Sequence, residues 1–98
     1  MNLDGATHKI KKHNNKFVIF YSDNCPFCDN ALKLLHDYNY KKYNIEVIGG
    51  LQKLLSVLKK TKKLTGFKET HSTKPIIFYK GKFIGGYTEL EKFLHKKK

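Results

Sequence analysis

Two cysteines three positions apart, Cys25 and Cys28, enclose Pro26 and Phe27, and the chain has no others. Ser22-Asp23-Asn24 before them supplies turn chemistry, and Pro26 suits the first position of a helix, where no amide hydrogen is needed. Cys25 then falls where a loop enters a helix, and Cys28 lies on the same helical face three residues later. Their sulfurs can meet and close a small disulfide. The first faces the unpaired amide hydrogens and the positive end of the helix dipole. A thiolate is favoured there, and such settings lower a cysteine pKa from about 8.5 to roughly 3.5–7.5. The chemistry that follows is thiol–disulfide exchange: Cys25 attacks a disulfide, and Cys28 or an outside thiol resolves the mixed disulfide.

Two other readings of the pair stay open. A structural zinc site takes four protein ligands, and the only histidines at ligand spacing, His8 and His13, lie in a lysine-rich segment upstream. Alternatively the cysteines are buried and inert; Pro26 at a strand–helix junction argues against that.

The pair needs a frame to position it. Lys16–Tyr21 is an apolar, β-branched and aromatic run, read as a strand buried on both faces. After Pro26, residues Ala31, Leu32, Leu34, Leu35 and Tyr38 keep helical spacing to about Asn39. Tyr43–Ile48 reads as a second strand closed by Gly49-Gly50. Leu51, Leu54, Leu55, Leu58 and Leu64 mark a second helix ending at Gly66, with lysines on its outer face. Residues 67–74 form a polar loop, Pro75 opens a strand Ile76–Lys80, Gly81-Lys82 makes a tight turn, and Phe83-Ile84 pairs back. A last helix starts at Tyr87 or Thr88 and runs through Leu90, Phe93 and Leu94 to Lys96-Lys97-Lys98. A short helix from Asp4, its N-cap, to His13 precedes all of this. The fold class is α/β, a four-stranded mixed sheet with helices on both faces in the order β-α-β-α-β-β-α. Its βαβ half is right-handed and parallel.

Composition bounds the remaining possibilities. Ninety-eight residues, 40% hydrophobic, fit one small domain, with residues 1–15 as a polar extension or helix. No apolar run approaches the ~20 residues a membrane helix needs, and Met1–His8 lacks the apolar stretch of a secretory signal. A soluble cytoplasmic protein is expected, and in that compartment a close cysteine pair is more often catalytic or metal-binding than structural. The formal charge is +12, carried by twenty lysines and no arginine. Nucleic-acid readers lean on arginine's planar fork, so this charge fits an AT-rich coding bias better than a basic groove.

These features together resemble the glutaredoxins. The strand-loop-Cys25-Pro26-Phe27-Cys28-helix unit is similar to their Cys-Pro-Tyr-Cys unit. Thr73-Lys74-Pro75 stands where they have Thr-Val-Pro, and Gly85-Gly86-Tyr87-Thr88-Glu89-Leu90 looks like their Gly-Gly-Cys-Ser-Asp-Leu. Leu64-Thr65-Gly66 is similar to the end of their second helix, and the likeness spans residues 16–95. It implies a thioredoxin fold, a cis Pro75 and glutathione as reducing co-substrate, with no metal. It also implies a glutathione site of Phe27, Thr73, Lys74, Pro75, Gly86, Thr88 and Glu89. In that site Lys74 pairs its backbone with the cysteinyl part, and Thr88 and Glu89 meet the γ-glutamyl end. The implied partners are glutathione and disulfide-containing or glutathionylated proteins, met by a monomer.

Three positions depart from the pattern. Phe27 replaces a tyrosine, Ser22 stands where the family often has a lysine, and Tyr87 replaces an extra cysteine. The resemblance keeps two relatives' chemistries in view. Thioredoxin-like proteins carry Cys-Gly-Pro-Cys after a tryptophan, and this chain has no tryptophan. Glutaredoxins that bridge an iron–sulfur cluster mostly carry Gly or Ser where Pro26 stands.

Overall fold

The computed structural model describes residues 5–97. Its frame is the run Phe17–Tyr21, which forms strand β1. Alternate residues of a strand point to opposite faces, and here both faces are apolar. Phe17 and Ile19 enter one cluster, Val18 and Phe20 the other, and none of the four is more than 1% exposed. A strand so buried belongs inside a sheet, and β1 has a partner on each side. β2 (Tyr40–Asn44) runs parallel to it and β3 (Ile76–Tyr79) antiparallel; β4 (Lys82–Gly85) pairs antiparallel with β3. The strand order β2-β1-β3-β4 is the expected four-stranded mixed sheet.

Helices cover both faces. α1 (Gly5–Lys12) and α3 (Leu51–Lys60) press Ala6, Ile10, Leu54 and Leu58 onto Val18, Phe20, Ile76 and Phe78. On the other face α2 (Pro26–Leu34), the 3-10 turn Leu35–Asp37 and α5 (Tyr87–Lys97) bring Ala31, Leu35, Leu90 and Leu94 against Phe17, Ile19 and Ile77. Each large apolar side chain buried this way contributes about 1.5–3 kcal/mol, so the two clusters fix the sheet that carries the cysteines.

The structure redraws several boundaries. The second strand is Tyr40–Asn44, not Tyr43–Ile48. Its register, Phe17 opposite Tyr40 through Tyr21 opposite Asn44, is set by β1. As an edge strand it tolerates the exposed Lys41 and Lys42. The apolar residues after it form a turn instead, in which Ile45 is fully buried while Val47 is exposed. The tight turn of the hairpin is Lys80-Gly81, both at positive φ (51° and 82°), which lets β4 begin at Lys82. The second helix breaks at Thr61, whose hydroxyl donates back to the Val57 carbonyl (3.0 Å). A short α4 (Lys62–Thr65) then ends at left-handed Gly66. Leu64 is exposed there, and Thr65 and Phe67 are buried in its place. The first helix is described over Gly5–Lys12 and ends at Lys12 rather than His13; Asp4 lies outside the described residues. The Cys25–Cys28 helix gives way to the 3-10 turn after Leu34 and does not reach Asn39 as α-helix.

The sheet register also gathers the predicted motifs. Phe20 near the end of β1 pairs with Ile76 at the start of β3, and Ile77 pairs with Gly85 at the end of β4. The cysteine loop, Pro75 and Gly86 therefore lie at one end of the sheet.

Candidate active site

At the start of α2, Cys25 has extended backbone geometry and occupies the N-cap, with Pro26 immediately inside. A serine or aspartate oxygen usually caps such a position. Here the Cys28 N–H donates to Cys25 Sγ (3.2 Å), and the Asp29 N–H donates to the Cys25 carbonyl (2.9 Å). Cys25 and Cys28 are joined as a disulfide with their Cα atoms 5.2 Å apart. The two ends differ in access: Cys25 keeps 7% of its surface exposed and Cys28 none. Phe27 between them is 60% exposed.

Beside Phe27 lies a groove of about 270 Å³. Three elements build it: Phe27 from α2; His71, Thr73, Lys74 and Pro75 from the loop before β3; and Gly86, Tyr87, Thr88 and Glu89 from the start of α5. All seven residues of the predicted glutathione site thus border a single groove. The Lys74–Pro75 peptide bond is cis. A larger open depression of about 580 Å³ lies between β4 and α5, and neither Phe27 nor the Pro75 loop borders it.

The α5 wall is organised by a carboxylate. Glu89 sits in the third helical position and accepts from the Gly86 N–H (2.8 Å), a backward cap across the first turn. This hydrogen bond is the main reason the Glu89 carboxyl is held below the usual range. Burial opposes it, and its own amide, His71 and Lys92 add smaller pulls in the same direction. The cap requires glycine behind it. Gly85 has φ +136°, and a Cβ there would stand 2.7 Å from Glu89 Cβ and Cγ.

Two groove residues were missing from the sequence-based set. Tyr87, noted only as a departure from the family pattern, faces Phe27 with ring centroids 6.2 Å apart. His71 had no signal beyond its place in a polar loop. Ser22 is buried, and its hydroxyl has no hydrogen-bond partner. Among the described residues, no group of three or more His, Cys, Asp or Glu is placed to hold a metal ion, and no helix is long and apolar enough to cross a membrane.

Comparison with known proteins gives the same answer from sequence and from shape. A family model described as Glutaredoxin matches residues 17–84. A mimivirus protein (Acanthamoeba polyphaga mimivirus), named a probable glutaredoxin, is 51% identical over 81 residues, covering 80% of this chain and 76% of that one. A dithiolic glutaredoxin from Trypanosoma brucei brucei superposes with a TM-score of 0.71 at 30% identity, covering 93% of this chain and 87% of that one. A buckwheat glutaredoxin–glutathione complex shares the fold, with a TM-score of 0.73 at 22% identity over 97% and 80% of the two chains. The cysteine pair at a strand–helix junction therefore sits in a known setting, and the chain belongs to the glutaredoxin family of thiol–disulfide oxidoreductases.

Proposed function

We propose that this chain is a glutathione-dependent thiol–disulfide oxidoreductase in which Cys25 attacks and Cys28 resolves. The observation that carries the reading is the unequal exposure of the two cysteines on either side of Phe27, which lines the groove. Cys25 has exposed surface and Cys28 has none, so an incoming disulfide meets Cys25 first. The Cys28 N–H on Cys25 Sγ supports a thiolate there once the disulfide is reduced.

The steps balance as follows. With a glutathione mixed disulfide, the Cys25 thiolate attacks the glutathionyl sulfur and the substrate thiolate leaves, to be protonated by solvent. A glutathione thiolate then attacks the Cys25-bound sulfur, releasing glutathione disulfide and restoring the Cys25 thiolate. With a protein disulfide, Cys25 forms the mixed disulfide and Cys28, deprotonated, displaces the protein thiolate, closing Cys25–Cys28. Two glutathione molecules reopen that bond and leave as glutathione disulfide. Each exchange breaks one S–S bond and forms another, so no outside oxidant is required.

In the groove, the Lys74 backbone pairs with the cysteinyl part of glutathione beside Pro75. Thr88 and the amide hydrogens at the start of α5 take the γ-glutamyl carboxylate, and Glu89 takes its ammonium. Glu89 is exposed and lines the groove although one of its oxygens caps α5. The buckwheat relative, solved as a glutathione complex, supports this assignment by likeness of fold. The same reading makes residues 1–98 one domain, active as a monomer in the reducing cytoplasm on disulfide-bonded or glutathionylated proteins.

The deciding experiment is glutathione-coupled reduction of a small glutathione mixed disulfide. Activity should vanish in Cys25→Ser and largely survive in Cys28→Ser. Full activity in Cys25→Ser would overturn the proposal.

A further inference from the structure

His71 belongs to the loop between α4 and β3, the segment that also delivers Thr73, Lys74 and Pro75 to the groove. That loop is polar and short of apolar anchors: Phe67 at its start and Pro75 at its end are buried, and the residues between them are not. The imidazole of His71 supplies what the loop lacks. It packs roughly perpendicular to the half-buried ring of Phe83 (centroids 5.3 Å apart) and to the buried ring of Phe67 (6.5 Å). The His71 backbone N–H closes a turn on the Lys68 carbonyl (3.0 Å). Its Nε2 stands 3.4 Å from the Pro75 carbonyl oxygen. A carbonyl can only accept, so the proton of this long hydrogen bond belongs to Nε2. On the α5 side, Cε1 of the same ring lies 3.3 Å from where a Cβ on Gly86 would stand, and Glu89 Oε1 lies 3.5 Å from that same point. One side chain therefore packs on Phe67 and Phe83, meets the Pro75 carbonyl just before β3, and borders the space that a side chain at Gly86 would enter.

We propose that His71 is a positioning residue for the glutathione groove, tying the Pro75 wall to the Gly86–Glu89 wall so that Lys74 and Glu89 engage one ligand together. This rests on the groove being the glutathione site. The inference extends that site to a residue that makes no bond to sulfur. It predicts an effect on glutathione recognition and none on thiol exchange itself. It also accounts for the tight fit at position 86, where a Cβ would stand 3.3 Å from the imidazole and 3.5 Å from the carboxylate.

The test uses the full chain and a glutathionylated peptide as substrate, comparing His71→Ala, His71→Gln, His71→Asn and Glu89→Gln. Glutamine's amide nitrogen reaches about where Nε2 stands, whereas asparagine's reaches only to Nδ1. His71→Ala should raise KM about threefold to tenfold with kcat within about twofold. His71→Gln should recover most of that loss and His71→Asn little of it. Thermal melting of each variant separates a lost fold from a lost contact. Unchanged KM in His71→Ala beside a raised KM in Glu89→Gln overturns the role of His71 and leaves the groove standing. Unchanged KM in both overturns the groove reading itself. A raised KM in His71→Ala that glutamine does not recover also overturns the proposal, because ring volume rather than the Pro75 tie would then be responsible.

Discussion

The starts of α2 and α5 both border the groove, and both expose backbone N–H groups that a helix cannot satisfy internally. They are satisfied by different chemistry. At α2 the acceptor is the Cys25 sulfur, which takes the Cys28 N–H from the N-cap position. At α5 the acceptor is the Glu89 carboxylate, which reaches back from the third helical residue to the Gly86 N–H. In the proposed mechanism the α2 acceptor is consumed and regenerated in each exchange, so its hydrogen bond stabilises a charge that comes and goes. The α5 acceptor stays ionised throughout and takes no part in bond exchange. On that mechanism one helix start tunes a nucleophile, and the other holds a wall of the groove.

The largest expected effect tests the α2 side. Cys25→Ser keeps an N-cap, since serine is a preferred capping residue, but it removes the proposed nucleophile. Turnover should fall to the uncatalysed level while the melting temperature matches that of reduced wild type. A clear loss of melting temperature alongside the loss of activity would mean that the sulfur contributes to the cap in a way oxygen cannot replace. Cys28→Ser should retain most turnover on glutathione mixed disulfides and lose it on protein disulfides.

Alkylation kinetics sharpen the same contrast. In the reduced protein, iodoacetamide should modify Cys25 first, with Cys28 following only slowly because it has no exposed surface. Mass mapping after short exposure at mildly acidic pH would show one carbamidomethyl group on Cys25. Equal labelling of both residues would remove the asymmetry on which the attack order rests.

On the α5 side the effect is smaller and divides into two parts. Glu89→Ala removes both charge and cap. Loss of a cap costs about 0.5–2 kcal/mol, so melting should drop by several degrees. Glu89→Gln keeps a neutral acceptor for the Gly86 N–H and should melt close to wild type near neutral pH while raising the KM for glutathionylated substrate. The Glu89 carboxyl is held below its ordinary value of 4.5. Its contribution to stability is therefore complete above that value and is lost as pH falls through the lower folded value. Between neutral pH and about pH 3, wild type should lose more melting temperature than Glu89→Gln. Parallel curves for the two proteins would remove the charged form of the cap.

The features readable from sequence share one property: local chemistry decides them. Phe17–Tyr21 is apolar on both faces and can sit only inside a sheet. Cys25-Pro26 marks a helix start whatever surrounds it. β2 was harder because its position is set by pairing with β1, and its lysines 41 and 42 look like loop until an edge is available to them. Lys80-Gly81 hid for a related reason, since a lysine at positive φ is uncommon and glycine alone marked the turn. His71 was invisible because its neighbours Phe67, Pro75, Phe83 and Gly86 come from separate segments. The Glu89 cap is the intermediate case. Glutamate three residues after a potential N-cap is a local signal, but here a glycine stands in the capping position where serine or threonine is usual, and a ligand role for the carboxylate was equally readable.

Ser22 gives the mildest test, and it bears on how Cys25 is activated. The residue follows β1, three positions before Cys25, where relatives often carry a lysine. Its side chain is buried with an unpaired hydroxyl. A buried hydroxyl without a partner is costly, and removing it is neutral or stabilising. Ser22→Ala should therefore leave the melting temperature unchanged or raise it slightly, by up to about 1 kcal/mol in stability. The alkylation profile of Cys25 should not move, because the Cys28 N–H and the start of α2 remain in place. A slower Cys25 in Ser22→Ala would assign the serine hydroxyl a direct part in holding the thiolate, and the contrast between the two helix starts would then extend beyond the helices to the end of β1.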